Sequence, residues 1–265
     1  MSNFFWDETL MKESANPNPT ILAIGDSWFW YPFYGGSLIN NLGPLVRSKG
    51  HVIFAKGMNG AEAAHYVGEG KYAKSVATAL KLYGAGLEAV FISGGGNDFA
   101  GFAQMRPLLK LDCSTQEDAK SCFRMEGTDG LKEFLDDVDK NYRRLIGEIY
   151  TRTSPNCKIV MHTYAYALPN GIGVFGKDGW LLPALIDAGV RPELHRKCVE
   201  YLLTAFRDKL YEISENDPAH LLIVDSREAL GPEDWANELH PNKQGFEKIA
   251  KTYWLPVLRQ AGLAE

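Results

Sequence analysis

Four short polar clusters in this chain carry residue types capable of covalent chemistry. They are Gly25-Asp26-Ser27-Trp28, Gly57-Met58-Asn59-Gly60, Gly95-Gly96-Asn97-Asp98 and Asn237-Glu238-Leu239-His240-Pro241. A serine hydroxyl is a weak nucleophile until a base takes its proton, and an imidazole titrates in the range that suits that task. Ser27 and His240 are therefore a candidate nucleophile and base, although 213 positions separate them. Each cluster also has a plain structural reading. Ser27 could cap a helix after a strand, with Asp26 making turn hydrogen bonds. The glycines before Asn97 could form only a tight turn, and His240-Pro241 could simply begin a helix. What matters is whether the fold brings the clusters together.

The intervening elements are legible. Short apolar runs at 20–24, 51–55, 87–93, 158–163 and 220–224 read as buried strands. Helical spacing covers 37–49, 61–83 (divided by Gly68 and Gly70), 129–152, 191–214 and 242–260, the last with a break expected at Pro256. This alternation predicts an α/β chain with a five-stranded parallel sheet and helices on both faces. Residues 1–19 read as a loose lead-in, and 100–128 and 169–191 as two insertions into a single domain. In open α/β sheets, sites form outside the carboxyl ends of the strands. Three of the clusters fall at such ends, and the fourth precedes the last helix.

The four clusters, in this order and spread over nearly the whole chain, resemble the blocks of the SGNH (GDSL-like) hydrolases. That resemblance implies a three-layer flavodoxin-like sandwich and serine esterase or lipase activity through an acyl-enzyme. It implies Ser27 as nucleophile and His240 as base. It also implies an oxyanion hole made by the N–H groups of Ser27 and Gly60 and the side-chain amide of Asn97. Thioester hydrolysis or acyl transfer would use the same groups.

The chain departs from the family pattern in one place. The family has an aspartate three residues before the histidine, and here that position is Asn237. An amide oxygen can hold the imidazole tautomer but offers no charge to the imidazolium. Three arrangements are open: Asn237 orients His240, Asp234 or Glu238 takes the acidic role, or a backbone carbonyl does. A non-catalytic binding module that kept the fold is the alternative this substitution motivates. A second unusual feature is the aromatic run from Trp28 to Tyr34, about half of which is expected in the core. The rest, with Phe99, Phe102 and Trp180, Leu181 and Leu182 of the lid candidate 169–191, suggests an apolar acyl site in which Trp28, Phe99 and Trp180 are the expected substrate contacts.

Other classes find little support. The 265 residues are 45% apolar and 23% charged, with a formal net charge of -5 and no long basic run to bind nucleic acid. The expected partner is a small-molecule or lipid ester. No run is long enough to cross a membrane, and the N-terminus lacks a signal-peptide pattern, so a cytoplasmic location is expected. Cys113 and Cys122 bracket a polar segment that a disulfide could close, which would instead suggest leaderless export to an oxidising compartment. No spacing suits a metal and no cofactor is implied. Gly171-Ile172-Gly173-Val174-Phe175-Gly176 fits a dinucleotide pattern in letters only, since it opens no helix directly after a strand. His51, His65, His162, His195 and His220 are assigned structural or surface positions.

Overall fold

A computed structural model describes residues 2–31 and 36–265. In chain order the strands are β1 (Phe4–Phe5), β2 (Ile21–Gly25), β3 (Ile53–Gly57), β4 (Ala89–Ser93), β5 (Lys158–His162) and β6 (Leu221–Val224). The helices are α1 (Glu8–Lys12), α2 (Leu38–Val46), α3 (Lys71–Tyr83), α4 (Phe102–Leu108), α5 (Leu131–Tyr150), α6 (Leu182–Asp187), α7 (Pro192–Ser214), α8 (Lys243–Ile249) and α9 (Leu255–Gln260). All strand pairs are parallel, in the order β1-β3-β2-β4-β5-β6. The five expected strands therefore form the flavodoxin-like core order. β2 is flanked by β3 on one side and β4 on the other, and the crevice where chain direction reverses opens at its carboxyl end. Ser27 stands there.

β2 and β4 are buried along their whole length, as strands covered by helices on both faces must be. The covering helices are amphipathic: α5 buries Val138, Tyr142, Leu145 and Ile149 at helical spacing. α7 does the same with Leu194, Cys198, Leu202 and Phe206.

The lead-in is more ordered than its composition suggests, which corrects the strand count to six. Phe4–Phe5 adds an edge strand to β3. What holds it is Asn3, whose buried amide donates to the carbonyls of Gly43 (2.8 Å) and His51 (2.9 Å) and accepts from Arg47. One polar side chain thus ties the N-terminus to α2 and β3, an interaction no periodicity reports.

The insertions are also tied to the body. Residues 100–128 contribute Met105, Leu108, Leu109 and Phe123 to the core. They meet the second insertion through Arg106–Asp187 (2.6 Å) and Cys113 N–H to Ala188 O (2.7 Å). Cys113 and Cys122 are buried free thiols rather than a disulfide. At the C-terminus the helix does not stop at Pro256. A π-helical turn, Ala250–Trp254, widens the path and leads into α9, where the proline lies in the first turn and needs no N–H donor. No described helix is long and apolar enough to cross a membrane.

Asn3→Ala leaves two buried carbonyls without a donor. We expect a loss of about 2 kcal/mol and a melting point lower by roughly 5 °C in thermal unfolding, with the site at the opposite strand ends unaffected.

Candidate active site

The turn after β2 is built by close approach. Gly25 lies so near β4 that a Cβ would sit 2.9 Å from that of Ser93 and 2.7 Å from the Phe29 ring. The amides of Phe29 and Trp30 donate to Asp26 O, which coils the chain immediately beyond Ser27. Asp26 itself is fully buried. Its Oδ1 accepts from Trp28 N and Ser93 Oγ, each at 2.9 Å, and its Oδ2 accepts from Tyr164 Oη at 2.6 Å. Burial outweighs these bonds and pushes the Asp26 carboxyl up to about 6. The fold thus favours its protonated form. That contribution, about 3 kcal/mol, is complete below the ordinary carboxyl range and is lost as pH rises through about 6.

The Ser27 hydroxyl lies 2.8 Å from His240 Nε2, and His240 Nδ1 lies 2.9 Å from Asn237 Oδ1. All three residues are buried. The segment carrying the histidine is a tight reversal: Trp235 and Pro241 form an antiparallel bridge, and Ala236 N donates to His240 O. Trp28 Nε1 donates to Leu239 O (3.0 Å), fastening this reversal to the residue after Ser27.

Asn237 Oδ1 also accepts the backbone N–H groups of Leu239 (3.1 Å) and His240 (2.9 Å). These two donors fix the amide, because turning it over would aim its NH₂ at two N–H groups. The oxygen therefore faces Nδ1, the proton sits on Nδ1, and the Nε2 lone pair is left to accept from Ser27. Asn237 Nδ2 donates to Tyr31 Oη, and the Tyr31 ring stacks on His240 with centroids 4.2 Å apart. Without a carboxylate beside it, burial alone acts on His240 and lowers its pKa to about 4. The imidazole thus stays neutral through mildly acidic pH, though burial also makes it a weaker base.

The other acidic residues near His240 are engaged elsewhere. Asp234 pairs with Lys248 at 2.9 Å. The Glu238 carboxylate, fully buried, accepts the N–H groups of Gly171, Trp180, Leu181 and Leu182. It anchors the second insertion and turns away from the imidazole.

Two of the three expected oxyanion donors have N–H groups that no described group accepts, those of Ser27 and Gly60. Gly60 has φ +72°, which favours glycine, and open space around it. Its glycine is explained by the turn rather than by crowding. Asn97 donates through Nδ2 to Ala61 O (3.0 Å), which seats it beside Gly60, and makes a long 3.5 Å contact to Asp26 Oδ2.

Ser27 and Asn97 share a small, open pocket with Trp28, Phe99, Tyr164 and Leu203. Trp28 and Phe99 both line this pocket. Trp180 is not in this wall; its ring stands edge-on to His240 at 5.8 Å. Phe102 faces a different surface depression, beside Arg106 and Leu111, and Leu181 is core. Of the aromatic run, Phe29 is core, Trp30 is partly exposed and Tyr31 covers the histidine; residues 32–34 lie outside the described residues. His162 is buried among Trp28, Phe29 and Trp254, and burial drives it down to about 3. Among the described residues no cluster of His, Cys, Asp and Glu is arranged to hold a metal ion. The sequence gives no sign of Tyr31 as a cover for His240 or of Tyr164 as a partner of Asp26. The first lay inside the aromatic run; nothing in the letters around the second marks it.

No protein-family profile matches the chain, and a search of curated proteins finds no match. Solved structures do. An extracellular lipase from Streptomyces rimosus superposes with a TM-score of 0.55 at 16% identity, covering 92% of this chain and 99% of that one. Phospholipase A1 from Streptomyces albidoflavus NA297 gives 0.54 at 13%, covering 91% and 98%. A candidate GDSL-like lipase from Parabacteroides merdae ATCC 43184 gives 0.53 at 14%, covering 93% and 97%.

Asn237→Asp adds a charge next to the imidazole and should raise the His240 pKa from about 4 by roughly 1–3 units, read by NMR titration of the ring. In the wild-type protein the depressed value means that His240 contributes stability above its free value of 6.5 and loses it as pH falls through about 4. The variant should flatten that part of the stability profile.

With the strand order, the Ser27–His240 contact and these superpositions together, the chain has the fold of the SGNH (GDSL-like) hydrolases.

Proposed function

We propose that this protein is a serine hydrolase that cleaves carboxylic esters through an acyl-enzyme on Ser27. The observation that carries the reading is the continuous hydrogen-bond chain from Ser27 Oγ through His240 to an Asn237 oxygen that cannot turn away. In acylation, Ser27 Oγ bonds to the ester carbonyl carbon as its proton passes to Nε2. The carbonyl oxygen becomes an oxyanion facing the N–H groups of Ser27 and Gly60 and the Asn97 amide. Collapse breaks the bond to the alcohol oxygen, which leaves with the proton from His240. Water then repeats the sequence in reverse roles, releasing the acid and restoring Ser27.

An asparagine gives the transient imidazolium no counter-charge. Its dipole, with the stacked Tyr31 ring, supplies less stabilisation than an aspartate would. The reading is therefore of a competent site with modest turnover. The apolar wall of Trp28, Phe99, Ala167 and Leu203 suits an unsubstituted acyl group. A short-chain ester fits that space better than a long one. The lipase and phospholipase names of the superposed proteins agree with ester chemistry in general.

A p-nitrophenyl ester series tests this. Wild type should turn over acetate and butyrate faster than decanoate, and Ser27→Ala should lower kcat by about 10³-fold or more. A fluorophosphonate probe should label Ser27. Turnover that survives Ser27→Ala would remove the mechanism.

A further inference from the structure

Tyr164 follows β5 and has φ +61°, a conformation that is uncommon for a residue with a bulky side chain. Such local strain persists only where surrounding structure over-determines it. Here the ring is wedged against Trp28 (5.0 Å), His162 (4.7 Å) and Phe206 (5.9 Å). It lies so close to Gly96 that a Cβ there would meet the ring at 2.9 Å. The hydroxyl at its tip donates to Asp26 Oδ2 at 2.6 Å and accepts the Gly96 N–H at 3.3 Å. One hydroxyl therefore joins the turn that carries Ser27 to the loop that carries Asn97.

The allocation of acceptors at Asp26 gives this contact a consequence. Oδ1 is occupied by two donors, while Oδ2 takes the short bond from Tyr164 and only the 3.5 Å contact from Asn97. Asn97 Nδ2 has two hydrogens. One is spent on Ala61 O; the other is weakly held and remains available. We infer that Tyr164 is a positioning residue: its short bond holds Asp26 Oδ2 where the Asn97 amide reaches it only at 3.5 Å, too far for a strong bond, and so leaves one amide hydrogen for the developing oxyanion. The inference rests on the Ser27 acyl-enzyme reading.

The other groups around Asp26 do not compete for the same atom. Tyr66 donates to Ser93 O (2.7 Å), Tyr142 to Gly94 O (2.8 Å) and Tyr72 to Gly25 O (2.9 Å). Asp98 accepts from Ala63 N. Burial pushes both Asp26 and Asp98 up, and the Tyr164 bond opposes that at Asp26. Removing the hydroxyl deprives Oδ2 of its closest donor, and Asn97 is the neighbour able to replace it.

The test compares Tyr164→Phe, Asn97→Ala and the double variant on p-nitrophenyl acetate, with Tyr142→Phe as a control that also loses one buried hydroxyl. All are assayed below the melting midpoint of the least stable. Tyr164→Phe should lower kcat by about 10- to 100-fold with KM within roughly threefold, the pattern of a donor lost in the transition state. Adding it to Asn97→Ala should cost little more, because both changes remove the same donor. Tyr142→Phe should lower the melting point and leave kcat within about threefold. Wild-type kcat in Tyr164→Phe, a full multiplicative loss in the double variant, or an equal kcat loss in the control would overturn the inference. Were Tyr164→Phe to unfold at every assay temperature, 3-fluorotyrosine at 164, which keeps the ring and hydroxyl, must retain kcat; a tenfold loss there would also overturn it. Failure of the underlying reading has a different signature: wild type that is neither labelled at Ser27 nor slowed by Ser27→Ala.

Discussion

The site depends on a single constraint of topology: β2 must lie between β3 and β4 with all three running the same way. Only then do the turn bearing Ser27, the loop bearing Gly60 and the loop bearing Asn97 leave the sheet side by side. The backbone confirms the convergence, since Met58 N donates to Gly25 O and Asp26 N to Ser93 O, bonding the three strand ends past their last paired residues. The imidazole is delivered separately, from the reversal between β6 and α8. It arrives on register because Trp28 Nε1 holds Leu239 O. Most of the stability of this arrangement is hydrophobic and remote from it. Its precision is polar and local, made of hydrogen bonds that would each be worth little in water and more in a dry crevice.

Asn237 shows how one substitution separates two duties normally borne together. A carboxylate before a catalytic histidine orients the ring and also stabilises its positive charge. The amide retains the first duty because the turn that contains it supplies two N–H donors and leaves it one orientation. It relinquishes the second. The same turn would form around an aspartate, so the backbone places no demand on the charge. Buried Tyr31 and half-buried Trp180 then surround the imidazole with rings rather than with a counter-ion.

The parallel sheet, five of its strands and every long helix were legible because burial on both sheet faces and on one helix face writes itself into periodicity. The Ser27, Gly60, Asn97 and His240 clusters were legible because each occupies a boundary between elements, where glycine and polar residues stand out. Other features left no such mark. β1 is two residues long and depends on a buried Asn3 amide. Trp180 was expected in the acyl wall, but its direction is set by Glu238, which draws the neighbouring N–H groups inward. The pairing of Cys113 with Cys122 followed from loop length alone, whereas both thiols lie in the core with backbone carbonyls as neighbours. Tyr164 was silent because its importance arises from a contact 138 positions away.

Glu238 stands between Asn237 and His240 in the chain, yet its carboxylate belongs to another part of the molecule. It grips Gly171 on one side of the second insertion and residues 180–182 on the other, with Glu238 N also donating to Ile172 O. The stretch between these moorings, bridged at Ile172 and Asp178, projects as a small peninsula whose base is clamped and whose tip is not part of the clamp. Sequence change in the tip can therefore accumulate while the clamp at its base stays intact. The moorings enjoy no such liberty, because a Cβ on Gly179 would press directly into the carboxylate that holds them.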